Sequence, residues 1–171
     1  MALIVTPGAG NADAFVEVAD VTAYAAAHGL TWVATTSVAE PAIRRATIAL
    51  STGFHWKGYR TSGRAQSLAW PRTDVEDAEG ETVNPDSIPA EIFAACCEMA
   101  VYEQASPGGL SPTVILTDRV KRERIGQIET EYASSAMTAE AARPILTRVN
   151  DLISGLLAGS NNPLVGTAAR W

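Results

Sequence analysis

Apolar residues at spacings of three and four, separated by glycine- and proline-rich punctuation, predict four helices in this chain. The first is the alanine-rich run from Ala19 to His28, stopped by Gly29, which suits a left-handed C-terminal cap. The second starts near Val38 or Glu40, with Pro41 in its first turn and Ile43, Ala46, Leu50 and Phe54 on its apolar side. The third follows Asp86 or Ser87 as cap, takes Pro89 into its first turn and ends around Ala105. Its stripe is Ile92, Cys96 and Met99, widened by Phe93, Cys97 and Ala100. The fourth covers about 139–158 and buries Ile145, Leu146, Val149, Leu152, Ile153, Leu156 and Leu157. Arg148, Asn150 and Asp151 form its wet side.

Between these runs the pattern shortens. Leu3-Ile4-Val5 and residues 14–18 read as extended pieces. Thr73–Asp77 and Glu81–Val83 can pair as a hairpin around Ala78-Glu79-Gly80. A second hairpin is expected within 114–132, where Gly126 separates Arg119–Ile125 from Gln127–Tyr132. The predicted fold class is mainly α: a bundle of about four helices with short β-hairpin excursions and extended arms. The expected divisions are an N-terminal arm (1–13), a helical domain (14–158) and a C-terminal tail (159–171).

Composition agrees with one packed helical domain. The chain has 171 residues, 47% of them hydrophobic and only 6% aromatic, a balance that favours helices over a β-sandwich. Its formal net charge of −6 argues against a duplex-DNA binder held by phosphate neutralisation. The first residues lack the basic and long apolar regions of a signal peptide. No apolar run reaches the length of about 20 that a membrane helix needs. The expectation is an intracellular protein with no membrane partner.

Catalytic motifs are sparse. Two histidines cannot make a His-rich metal site, and the adjacent Cys96 and Cys97 suit a buried helix better than a metal or a staple. No proton shuttle is nominated, so neither enzymatic activity nor a cofactor is expected.

Charge is segregated. Residues 41–73 carry Arg44, Arg45, Lys57, Arg60, Arg64 and Arg72 and no acid. Residues 73–118 carry Asp74, Glu76, Asp77, Glu79, Glu81 and five further acids, and no Lys or Arg. Either the blocks neutralise each other within one subunit, or one subunit's basic block meets the next one's acidic block head to tail. Arg44, Arg45, Arg60, Arg64, Arg72, Asp74, Glu76, Asp77 and Glu79 are the candidate interface residues.

Two further segments have alternative readings. His55-Trp56-Lys57-Gly58-Tyr59-Arg60 and Ala69-Trp70-Pro71-Arg72 interleave aromatic and basic residues as single-stranded nucleic-acid platforms do. The competing reading, favoured by the acidic balance, is that Trp56, Tyr59 and Trp70 plug the irregular middle. The tail is either a frayed terminus or a docking segment, with Leu164, Val165, Arg170 and Trp171 as anchors.

The order of several motifs resembles a known family. They are Ala14-Phe15-Val16-Glu17-Val18-Ala19-Asp20, Trp56-Lys57-Gly58-Tyr59-Arg60-Thr61-Ser62 and Gln66-Ser67-Leu68-Ala69-Trp70-Pro71-Arg72, followed by Ile88-Pro89-Ala90-Glu91-Ile92 and the stretch Val120 to Tyr132. Together they are similar to the small head–tail connector, or adaptor, proteins of tailed bacteriophages. Many relatives of those carry the label of a DnaT-like single-stranded DNA-binding protein. The resemblance covers roughly residues 12–158. It implies a structural protein of the virion neck, assembled in the host cytoplasm as a homo-oligomeric ring, commonly a dodecamer. Such a ring sits below the portal protein, passes double-stranded DNA without specific binding and docks the next neck or tail protein. The family label implies the alternative, a single-stranded DNA-binding replication accessory.

Overall fold

The computed structural model describes residues 2–112, 122–125, 128–131 and 146–159. Among these, four α-helices and two small antiparallel ribbons follow in chain order: α1 (Val18–His28), α2 (Thr36–Thr52), β1 (Tyr59–Arg60), β2 (Arg72–Thr73), α3 (Ala90–Ala105), β3 (Arg122–Ile125), β4 (Ile128–Glu131) and α4 (Thr147–Ile153). The mainly α fold class with short β excursions is therefore correct.

Helix α1 ends as its sequence predicts: Gly29 takes φ 66°, and its N–H reaches the carbonyls of Ala25 and Ala26. Helix α2 begins earlier than expected. The Thr35 carbonyl already accepts the N–H groups of Val38 and Ala39 (2.9 and 2.8 Å), which places Pro41 inside the helix rather than in its first turn. Pro89 caps α3 instead of opening it. Ile92, Cys96, Cys97, Met99 and Ala100 are buried as read from their spacing.

The core lies where α2 packs on α3, with α1 and α4 added against α3. Ile43, Leu50, Trp70, Ile92, Ile153 and Leu156 are its largest fully buried apolar side chains. Helices α2 and α3 each bury small residues: Ala39, Ala42 and Ala46 on one, Ala95, Cys96 and Ala100 on the other. Residues of this size let the two backbones approach closely. At the rim of the core, Tyr24 Oη on α1 donates to Glu98 on α3 (2.9 Å), and Arg148 on α4 pairs with the same carboxylate oxygen (2.9 Å). Burial first, and then the Glu98 carboxylate, push the Tyr24 phenol up to about 12.

Several expectations are corrected. Residues 14–16 do not alternate as a strand would: Ala14, Phe15 and Val16 are buried consecutively, and among the described residues no strand pairs with them. The fourth helix spans Thr147–Ile153 and tightens into a 3-10 turn at Ser154–Leu156; positions 139–145 lie outside the described residues. It stops short because its last residues change partners. Lys57 N–H donates to the Leu156 carbonyl (3.0 Å) and Ala158 N–H to the His55 carbonyl (2.8 Å), an antiparallel bridge to the middle segment.

The hairpin expected around Ala78-Glu79-Gly80 is reduced to a bridge between Glu76 and Thr82, reinforced by Asp77 N–H to Glu81 O and Val83 N–H to Val75 O (both 2.9 Å). The hairpin on either side of Gly126 is present, Arg122 opposite Glu131 and Ile125 opposite Ile128. Residues 2–13 are not an extended arm: turns at Pro7-Gly8 and Gly10-Asn11 fold the segment, and it is tied to the domain. Ser67 Oγ donates to the carbonyls of Ala9 and Ala12 (3.0 and 2.6 Å), and Ile4 N–H donates to the Asp13 carboxylate (2.7 Å).

Candidate nucleic-acid interface

The aromatic-basic segment folds around two buried indoles. Trp56 and Trp70 are 8% and 1% exposed, and their rings meet edge to face at 5.6 Å, a favoured aromatic geometry. Phe54 also packs on Trp56, its ring tilted at 5.6 Å. These two tryptophans plug the middle, as the competing reading held. Tyr59 does not: at 71% exposure it is the most exposed large hydrophobic side chain among the described residues.

Strands β1 and β2 set Tyr59 opposite Thr73 and Arg60 opposite Arg72. Opposed residues share a face of the ribbon and successive ones alternate. Tyr59 therefore lies on one face and the two arginines on the other. Like charges directly opposite each other destabilise a ribbon, so the geometry needs a specific support. Arg72 supplies it through backbone carbonyls. Its Nε donates to Lys57 O (2.7 Å), Nη2 to Gly58 O (2.6 Å) and Nη1 to Ala69 O (3.2 Å). Burial, and then repulsion from Arg60, hold its guanidinium below the ordinary value.

The buried Gln66 finishes the scaffold. Its Nε2 donates to the carbonyls of Leu68 and Pro71 (2.9 and 3.0 Å), and its Oε1 accepts Ser62 N–H (3.3 Å). Gly58, at φ 61°, lets the chain pass so close that an added Cβ would stand 2.1 Å from the Thr73 carbonyl oxygen. Directly after β2, Asp74 takes φ 56°, which is strained for a non-glycine residue.

The candidate charged residues thus separate into two groups. Arg44 is used inside the molecule, on Asp13 (2.7 Å), Glu40 (3.1 Å) and the Ala2 carbonyl (3.3 Å). Arg45 reaches the buried Glu103, and Arg72 clamps the ribbon. Lys57 Nζ lies on the carbonyls of Gly155 (2.7 Å) and Glu76 (3.1 Å). Arg60 and Arg64 remain exposed. Arg60 Nη1 donates to the Gln66 carbonyl (3.3 Å), and neither forms an ion pair among the described residues.

Asp74, Glu76 and Glu79 are exposed, and Asp77 is half-buried. The Asp77 carboxylate accepts the N–H groups of Glu79 and Glu81 (2.8 and 2.9 Å), and these bonds hold it below its ordinary range. Leu164, Val165, Arg170 and Trp171 lie outside the described residues.

Sequence reading missed Gln66, which has no local signature, and Glu103. The latter had a signal: at the next position of the Ile92, Cys96, Met99 stripe, an acid stands where an apolar residue belongs. Among the described residues no group of His, Cys, Asp and Glu could hold a metal ion, and no helix is long and apolar enough to cross a membrane. No curated protein and no solved structure matches the chain. A family model does, over residues 1–171, and by that match the chain belongs to the family described as "Putative DnaT-like ssDNA binding protein".

Proposed function

We propose that this protein binds single-stranded DNA as a non-catalytic accessory, through the β1–β2 ribbon. The observation that carries the reading is an exposed tyrosine on the same ribbon as Arg60, with Arg64 exposed in the loop that follows; neither cation forms an ion pair among the described residues. The family description supports it. A base can stack on Tyr59 while neighbouring phosphates pass the two arginines, and every base offers a face to the ring, so sequence preference should be weak. With two arginines and a chain of net charge −6, affinity should be modest and salt-sensitive.

Fluorescence anisotropy with an oligo-dT at low and moderate salt tests this. Binding should weaken with a slope of about −1.4 in log salt if both arginines contact phosphate. Tyr59→Ala should cost about tenfold in affinity, at the lower end of a stacked base's contribution. No binding at low salt would refute the reading.

A second reading is the neck adaptor of the resemblance, a ring below the portal that docks the next neck or tail protein. One observation favours it. Val38, Pro41, Arg45, Ile48 and Thr52 follow one another at spacings of three and four along the outside of α2, and Val38 and Ile48 are 45% and 58% exposed. Exposed valine and isoleucine side chains on one helix face offer apolar surface that an assembly can cover. Electron microscopy of the protein alone and with portal protein separates the readings: closed rings support the adaptor, and single subunits in both samples oppose it.

A further inference from the structure

Lys57 stands where three separate pieces of chain meet at the root of the β1–β2 ribbon. Its Nζ donates to Gly155 O at the end of α4 (2.7 Å) and to Glu76 O in the acidic turn (3.1 Å). Its own N–H donates to Leu156 O (3.0 Å), and its carbonyl accepts Arg72 Nε from β2 (2.7 Å). Next to it, Trp56 and Leu157 form an antiparallel bridge, and Ala158 N–H reaches His55 O (2.8 Å). A Cβ added to Gly155 would stand 3.2 Å from Ala78 N, so the acidic turn also lies close against the end of α4.

An ammonium with carbonyl partners on two segments holds both only while both stay in place, and hydrogen bonds from a charged group are the stronger kind. The ribbon needs such support. Each of its strands is two residues long, and it sets Arg60 against Arg72. The Arg72 clamp that offsets this repulsion closes on Lys57 O and Gly58 O. The clamp is therefore only as well placed as residue 57 itself.

We infer that Lys57 is a positioning residue that couples the end of α4 to the Tyr59 ribbon: positions 154–158 act as a clasp, and opening the clasp loosens the ribbon. The coupling is reciprocal by linkage, so order imposed on the ribbon tightens the clasp. It deepens the DNA-binding reading, on which it rests only for what the ribbon binds, and the coupling itself is measured without DNA.

Amide hydrogen exchange on the full chain, followed by NMR, tests it. Lys57→Met keeps an unbranched side chain and removes the ammonium. Thr61 N–H, bonded to Pro71 O (3.3 Å), and Ala158 N–H should both exchange faster, while amides of α2 and α3 keep their wild-type rates. The expected rise is about tenfold, the equivalent of one charge-assisted hydrogen bond. Lys57→Arg retains donors for both carbonyls and should restore the protection. Ala158→Pro removes a donor of the bridge where the preceding Leu157 is already extended (φ −84°, ψ 139°), and should speed Thr61 exchange from the other end of the contact. Wild-type exchange at Thr61 in Lys57→Met or Ala158→Pro, a rise in α2 and α3 as large as that at Thr61, or protection that Lys57→Arg leaves lost overturns the inference. Oligo-dT added to the wild type should slow Ala158 exchange. If Lys57→Met loosens both ends and oligo-dT slows neither, the coupling stands and the DNA reading alone fails.

Discussion

Glu103 joins three pieces of chain at one carboxylate. Its Oε1 accepts from Arg45 on α2 and from Gly108 N–H (2.6 Å), and its Oε2 from Leu110 N–H (3.2 Å). A charge this buried is tolerated only when its lone pairs are filled. Glu103→Ala leaves two amide donors and one guanidinium without their acceptor, and should cost about 3 kcal/mol in urea unfolding. Arg45→Met should cost less, because both amide bonds survive. Asp13 works differently. Burial would raise its carboxyl, but hydrogen bonds from Arg44 and Ile4 N–H outweigh burial and hold it below 3.8. A carboxyl lowered on folding stabilises fully above its unfolded value and loses that contribution as pH falls through the folded one. The stability gap between wild type and Asp13→Asn should therefore be constant from neutral pH down to about pH 5 and shrink below about pH 4. Asp13 and Arg44 are distant in sequence, and nothing local in either segment announces their pairing.

At the scale of elements, α2 and α3 bury small side chains in the core, and enlarging one should be felt directly. Ala46→Leu inserts bulk into the packed core, where Ala46 is fully buried, and should cost about 1–3 kcal/mol, lowering Tm by several degrees. Gly58→Ala should be at least as damaging, because its Cβ would collide with the carbonyl oxygens of Thr73 and Asp74 and with Val75. Chemical denaturation checks both. Helices α1 and α3 and the β3–β4 ribbon were legible because their spacing, Gly29 and Gly126 are local signals. The β1–β2 ribbon was not, since two-residue strands carry no period. Its pairing depends on Arg72 and Gln66 reaching carbonyls elsewhere in the loop.

At the scale of the whole molecule, Cys96 and Cys97 report on the integrity of the core. Both are free and buried. Burial, only partly offset by a hydrogen bond with Thr47, pushes the Cys96 thiol up to about 12; burial and the neighbouring Cys96 thiol raise Cys97 as well. The reactive species is the thiolate, so an aromatic disulfide reagent should label neither thiol in the native protein. Labelling should follow global unfolding in a urea series, which mass spectrometry can count. Prompt labelling of either thiol in native buffer would mean that α3 opens locally.

The sequence by itself determined what depends on neighbours along the chain: helices from apolar spacing and caps, a hairpin from its turn, and two blocks of opposite charge from composition. Its whole length also matches the family model. Only the tertiary structure decided which charges remain available, because Arg44 and Arg45 find Asp13 and Glu103 across segments far apart in sequence. It likewise sent Trp56 and Trp70 inward and Tyr59 outward. These three rings belong to one aromatic-basic segment of the sequence. Their fates differ because burial is set by the surfaces that close over a side chain, and those surfaces are contributed by the rest of the chain.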